Sequence, residues 1–181
     1  QDYEAVLKSQ TVALALVRDW EVAGRAGLCP VPDELISLNE LRRISVPLYG
    51  MTTWGDLFTA RQKVALVTLA RLVRDRPESD GAAMRAALSC GIARLADQSS
   101  TLVSWLLTIE AVSHTFVRQA LPIVWDFCEI RPLGSQSANF SAAIEWVAKV
   151  VEAWPGSRPG QVQAADAAAH PLPDETASVW C

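Results

Sequence analysis

Arg118, Gln119, Asp126 and Glu129 stand among Phe116, Leu121, Ile123, Val124, Trp125 and Phe127 in the stretch TFVRQALPIVWDFCEIRP, Thr115–Pro132. Polar groups this close to large apolar ones are hydrogen-bonded inside a fold or used at its surface. In the second case Arg118 and Gln119 have the donors to contact a base edge or a phosphate, and Trp125 has a ring face on which a flipped base could stack. In the first case Arg118 pairs with Asp126 or Glu129, and Trp125 packs among its aliphatic neighbours. Pro122 divides the run, because its ring removes an amide donor and clashes with a continuing helix. The expectation is two short helical pieces meeting at Leu121–Pro122, held together by an internal network of Arg118, Asp126 and Glu129. His114 beside Thr115 could join Asp126 in a hydrolytic arrangement. No Ser or Cys sits in a nucleophile context, so no catalytic residue is assigned.

Arg61 and Gln62 are a second pair with two readings. They could touch DNA phosphate, but Thr59 and Gln62 are spaced for a capping box, which explains Gln62 by itself. Arg71, Arg74 and Arg76 could face phosphates as well. Cations in the last turn of a helix favour its negative end, which is the simpler reading. Trp54 carries the same alternatives as Trp125. Cys29, Cys90, Cys128 and Cys181 are scattered, and His114 and His170 stand alone, which is not metal-ligand spacing. Buried free thiols in a reducing cytoplasm are the default for such cysteines.

The elements that would position these residues are mostly helical. Asp2 is placed to cap a first helix in which Tyr3, Leu7, Leu14 and Val17 recur at helical spacing, closed by Gly24, Gly27, Pro30 and Pro32. Residues 28–50 read as a connection with a short turn near Glu34–Leu41. A second helix starts at Thr59, apolar on most sides and therefore central, and Pro77 stops it. A third follows from about Asp80 to Ala96, with Met84, Leu88, Ile92 and Leu95 as its buried stripe. Gly91 within it implies close backbone packing, at a cost of roughly 1 kcal/mol relative to Ala. Residues 101–112 read as a further apolar helical segment. A patterned helix from about Ala138 to Ala153 turns Phe140, Ile144, Val147 and Val151 inward, with Glu145 and Lys149 paired outside.

At Trp154–Pro155 the composition changes to Gly, Pro and Ala, with two short apolar runs, Val162–Ala165 and Ala177–Cys181, that read as strands. The expected fold class is therefore mainly α, a helical bundle-like body over residues 1–155 with a short C-terminal β element in residues 156–181. Both ends read as cut from something longer. A chain of 181 residues is long enough for one domain, and with half its residues hydrophobic and a fifth charged it is globular. A net charge of −4 leaves no overall electrostatic footprint of a nucleic-acid binder. No apolar run reaches the length of a membrane span and no signal peptide is visible, which places the expected setting in the cytoplasm.

Four runs, taken in order, resemble successive segments of large bacterial and archaeal adenine-specific DNA methylases whose N-terminal region is of unknown function. They are YGMTTWGDLFTARQ (Tyr49–Gln62), GIARLADQSSTL (Gly91–Leu102), HTFVRQALPIVWDFCEIRP (His114–Pro132) and FSAAIEWVAKVV (Phe140–Val151). The tail resembles the approach to the catalytic strand of such enzymes, after which the family has Asp-Pro-Pro-Tyr. The resemblance implies a piece lying between the S-adenosylmethionine loop and that motif, inactive alone. Residues 1–155 would be a helical insertion in a methyltransferase fold, and the two tail strands part of its sheet.

It also implies S-adenosylmethionine as cofactor of the intact enzyme, and DNA and the rest of the methyltransferase domain as partners. Catalysis there requires an adenine turned out of the duplex. The one cofactor-binding residue it supplies is Asp166, placed after a strand where such enzymes accept a hydrogen bond from the cofactor adenine. Without the resemblance Asp166 is a solvated turn residue. Strands severed from a parallel sheet leave unpaired edges, so self-association through the tail is a further expectation. Where the family has Asn-Pro after the acidic position of its central motif, this chain has Arg131–Pro132. A non-catalytic helical module that binds DNA or a protein partner is the alternative.

Overall fold

The computed structural model describes residues 2–136, 138–154 and 156. Helix α1 spans Asp2–Val22, α2 Ala60–Arg74, α3 Gly81–Asp97 and α4 Phe140–Ala153, and a two-stranded antiparallel sheet pairs β1, Trp105–Leu106, with β2, Ala111–Val112. The fold is mainly α with this small β element. The helices pack in chain order, α1 on α2, α2 on α3 and α3 on α4. The second helix is therefore central, as its apolar surface requires.

Local chemistry explains most helix ends. Thr59 and Gln62 form the capping box of α2: the Gln62 amide N–H donates to Thr59 Oγ1 at 3.3 Å, and the Thr59 N–H donates to Gln62 Oε1 at 2.8 Å. Asn139 caps α4 by accepting from the Ala142 N–H at 2.8 Å, so this helix starts at Phe140 and not at Ala138. After α1 the chain turns through the left-handed region at Gly24, with φ 82°. Arg71 and Arg74 occupy the last turn of α2, and Arg74 and Arg76 are paired with Asp75 and Asp80. Asp2, expected as the cap before α1, is instead its first residue.

The phase of α1 differs from the expected one. Ala13 and Leu16 are buried, with Val17 and Trp20 half-buried beside them, whereas Leu14 is 73% exposed and Tyr3 and Leu7 also face out. Positions 13, 16, 17 and 20 share one face at helical spacing. In α3, Leu95 is buried but Met84 is exposed, and in α4 Val151 is exposed too. Lys149 lies 5.6 Å from the Trp146 ring centroid, with Arg94 of α3 at 5.3 Å, and Glu145 forms no ion pair among the described residues. Two cations on one indole replace the expected Glu145–Lys149 pair.

Two expectations of helix are overturned. Residues 101–112 form a hairpin: Trp105 faces Val112, Leu106 faces Ala111, and the Ser113 N–H donates to the Ser104 carbonyl at 2.9 Å. A short apolar run cannot be told from a strand by periodicity alone. Residues 115–132 contain no helix. Asp97 at the end of α3 holds the start of this stretch, and its middle pairs with the 43–45 segment, where the Leu121 N–H donates to the Arg43 carbonyl at 2.8 Å and the Ser45 N–H to the Leu121 carbonyl at 3.2 Å. Both backbone groups of Leu121 are thereby committed outside any helix. The strands expected at Val162–Ala165 and Ala177–Cys181 lie outside the described residues.

The largest buried cluster is built from connections. Ile36, Val46, Leu57, Leu102 and Leu121 come together, with Ile44, Met51, Trp54 and Phe58 packed against them. None of the five belongs to an α-helix or a strand. Asp56 fixes the turn beneath Leu57 by accepting from the Thr53 N–H at 2.8 Å and the Thr52 N–H at 3.0 Å. Partial burial acts to raise the Asp56 carboxyl, but the hydrogen bonds from Thr53 and Thr52 and the charge of Lys63 outweigh it and hold the group below its ordinary value of 3.8. A carboxylate depressed on folding stabilises fully above its unfolded value, and that contribution disappears as pH falls through the folded one. Denaturant unfolding of Asp56→Asn should therefore differ from wild type at pH 7 and converge with it in strong acid.

Candidate functional site

The first turn of α2 meets the end of the 115–132 stretch in one polar corner. The Thr59 hydroxyl accepts from the Gln62 N–H and donates to Glu129 Oε1 at 2.8 Å. The Arg61 guanidinium donates to Glu129 Oε2, and the Glu129 side chain is largely buried while that of Arg61 is half exposed. A carboxylate at this position also faces the positive end of the α2 dipole. Gln62, 3% exposed, closes the corner, and its Nε2 has no hydrogen-bond partner among the described residues. Beside these residues runs a groove of about 660 Å³, lined by Arg61, Gln62, Ala65, Glu129 and residues 130–134.

The Glu129 contacts connect residues 68 and 70 positions apart. Hydrogen bonds to charged groups contribute about 1.5–3 kcal/mol, and the Arg61 contribution is discounted because solvent screens it. Glu129→Ala is expected to lower stability by about 1.5 kcal/mol, a fall of roughly 3–6 °C in thermal midpoint for a chain of this size. Calorimetry at low and high salt separates the two bonds, since only the Arg61 share weakens with salt.

A second constellation lies at the end of α3. Asp97 Oδ2 is 2.6 Å from His114 Nδ1, and its Oδ1 accepts from the Phe116 N–H at 2.9 Å. A carboxylate partner places a proton on Nδ1. The Asp97 carbonyl accepts from the Thr115 N–H at 2.8 Å and the Thr115 hydroxyl at 2.7 Å. With its proton so used, Thr115 accepts from Ser100 across 2.7 Å. An acid–imidazole pair supplies two of the three members of a hydrolytic triad, but no hydroxyl or thiol bonds to His114 among the described residues. The arrangement clamps 114–116 to α3. The acid beside His114 is Asp97 and not Asp126, the one the sequence brought to mind.

Of the residues expected to act together, only Glu129 and Arg61 meet, and they meet each other. Arg118, Gln119 and Asp126 are exposed and form no ion pair among the described residues, so the Arg118–Asp126–Glu129 network does not exist. The reason is the missing helices: without a shared helical face, nothing brings positions 118, 126 and 129 to one side. Trp125 is 84% exposed, edge-on to Tyr49 with ring centroids 5.8 Å apart, and does not pack in the core. Trp54 is half-buried against the loop-built cluster and 6.4 Å from the Phe116 ring. Asp166 lies outside the described residues. Cys90 is exposed and Cys29 and Cys128 are half-buried, so these thiols are not the buried ones expected; partial burial pushes the Cys29 thiol up. Cys181 lies outside the described residues.

Among the described residues no cluster of His, Cys, Asp and Glu is arranged to hold a metal ion, and no helix is long and apolar enough to cross a membrane. They also do not fit S-adenosylmethionine. Such a cofactor sits beyond the carboxyl ends of parallel strands, on a glycine-rich turn, and the strands described are a two-residue antiparallel pair. Asp97 and the orphaned Gln62 amide escaped the sequence reading. Asp97 carries no local signal, since its partners lie 17 to 19 residues on.

The chain is a mainly α protein with a hydrogen-bonded polar corner at the start of its central helix. Comparison with known proteins finds no family model, no curated protein and no solved structure that matches it.

Proposed function

We propose that this chain is the helical insertion of an S-adenosylmethionine-dependent adenine-specific DNA methyltransferase, without activity by itself. One observation supports the reading: stretches that resemble the methylases in sequence order are bound to one another in space. Tyr49–Gln62 reaches His114–Pro132 through the Thr59 and Arg61 bonds to Glu129. Gly91–Leu102 reaches the first through the Thr101 N–H to the Leu57 carbonyl at 2.8 Å, and the second through Asp97 to His114, Thr115 and Phe116. Phe140–Val151 packs on the Gly91–Leu102 stretch, with Ile144 against Gly91 of α3. Segments that resemble a family because they share its scaffold should form one unit.

In this reading the rest of the methyltransferase binds the cofactor and carries the catalytic motif, with Asp166 as this chain's contribution. The codons that follow Cys181 in the source gene test it: Asp-Pro-Pro-Tyr within the next few residues is expected, and an immediate stop overturns it. The isolated chain should transfer no methyl group from labelled S-adenosylmethionine to DNA.

The exposure of Arg118, Gln119 and Trp125 on one stretch favours a second reading, a non-catalytic module that binds DNA. Phosphate contacts must weaken as salt rises, so a titration of DNA at several salt concentrations decides it. A binding module should lose about one unit of salt slope in Arg118→Ala, with stability unchanged to within about 0.5 kcal/mol. No salt-dependent binding at all removes this reading.

A further inference from the structure

The groove beside α2 carries a polar group with nothing to bond. Gln62 is 3% exposed, lines the groove, and leaves Nε2 without a partner among the described residues. Its orientation follows from its other contact. The Thr59 N–H is a donor, so the amide end it meets at 2.8 Å must be the oxygen, and the unpartnered end must be the NH₂. Turning the amide over would set donor against donor. Whatever satisfies Gln62 therefore presents an acceptor. Leaving such a group buried and unsatisfied opposes folding, which makes it a place where a ligand gains most.

The charges around the groove supply the second requirement. Arg61 is balanced by Glu129, whereas Arg131, which also lines the groove, is exposed and forms no ion pair among the described residues. Its guanidinium fork suits a carboxylate or a phosphate. Arg131 is held in place by a turn in which the Gly134 N–H donates to the Arg131 carbonyl at 3.0 Å. The Phe140 N–H donates to the Pro132 carbonyl at 2.8 Å, fixing that segment to the start of α4. The apolar part of the lining is Ala65, Ile130, Pro132 and Leu133, with no aromatic ring among the described residues. The volume of about 660 Å³ is that of a small-molecule site.

We infer that this groove binds a small organic anion, with its carboxylate or phosphate on Arg131, a neutral carbonyl or ring-nitrogen acceptor on the Gln62 amide, and an apolar body between them. Because the Gln62 amide is buried, its contact with a ligand requires a neighbouring side chain to move aside. The inference rests on the Gln62 and Arg131 geometry and is independent of the methyltransferase reading.

Calorimetric titration of the full chain tests it with three probes: uridine monophosphate, N-acetyl-leucine and inorganic phosphate. The first two carry the anion and the acceptor with different charged groups, so the one that binds identifies the source; the third carries the anion alone. Saturable binding of at least one organic probe is expected, at a dissociation constant on the order of 1 mM or tighter. Arg131→Ala should weaken it about tenfold or more. Gln62→Glu keeps the oxygen that accepts from Thr59 and replaces the donor by an acceptor, so it should weaken binding at least as much. Circular dichroism checks that each variant is folded, and the exposed Arg131 decides the matter alone if Gln62→Glu unfolds. Absence of binding by both organic probes, binding unchanged in Arg131→Ala, or inorganic phosphate binding as tightly as either organic probe overturns the inference.

Discussion

Leu57→Ala is expected to lower stability by about 3 kcal/mol, equivalent to a drop of roughly 6–12 °C in thermal midpoint. The side chain is 0% exposed and packs with Ile36, Val46, Leu102 and Leu121, each from a different segment of the chain. Truncation removes the transfer energy of its methyl groups and leaves a cavity whose walls are tied down. The Leu57 carbonyl accepts from both the Thr101 N–H and the Thr101 hydroxyl, and Leu121 is pinned by its bonds to residues 43 and 45. Such walls cannot easily collapse, so the cost falls in the middle of the usual range rather than at its lower end. Leu72→Ala, on the central helix but 63% exposed, should change stability by no more than about 0.5 kcal/mol. Urea unfolding of the two variants compares the loop-built cluster with the helix surface. Equal midpoints would mean that the cluster is not the core.

This contrast marks the boundary of what the sequence makes readable. Helix positions come from signals a few residues apart, such as Thr59 with Gln62 or Asn139 with Ala142, and these act whatever the rest of the chain does. The cluster around Leu57 has no period, because its members stand singly in turns and connections. The same limit explains residues 101–112. Trp105, Leu106, Leu107 and Ile109 read equally as one face of a short helix or as a hairpin, and the choice is made by Ser104 and Ser113, which hydrogen-bond across the pair. In α1 the apolar residues outnumber the positions that can be buried, so Leu14 and Ala13 compete for the inward face and only packing on α2 selects Ala13.

The polar corner follows the same division. The chemistry of Arg61, Gln62 and Glu129 is visible from residue type, and so is the capping role of Gln62. Their pairing is not. Arg118 stands closer to Glu129 in sequence than Arg61 does, and an ion pair within one stretch is the natural expectation when that stretch is helical. Once Leu121 is drawn into pairing with Arg43 and Ser45, the helix is lost and Glu129 is delivered to the start of α2 instead. The stretch 115–132 is therefore important as a strap: Asp97 holds one end, Leu121 the middle and Glu129 the far end. Its side chains Arg118, Gln119, Trp125 and Asp126 stay exposed on the outer side of that strap.

The contact between α3 and α4 gives the second large effect, because its closeness depends on one missing side chain. A Cβ at Gly91 would lie 2.2 Å from Ile144 Cδ1 and 3.2 Å from its Cγ1, so the Ile144 side chain would have to shift to admit it. Gly91→Val adds three carbons there. The helix-propensity gain over Gly is only a few tenths of a kcal/mol, so overpacking decides the sign, and a loss of about 2–3 kcal/mol is expected. Ile144→Ala alone removes three carbons from a half-buried position and should cost about 2 kcal/mol. Together the two substitutions conserve volume. The double variant should come back to within about 1.5 kcal/mol of wild type, where simple addition gives a loss of roughly 4–5 kcal/mol. That difference is the coupling between the helices, measurable by thermal or urea unfolding of the four proteins. Strictly additive losses would mean that α4 does not rest on α3 at Gly91, and the packing of the last helix would have to be redrawn.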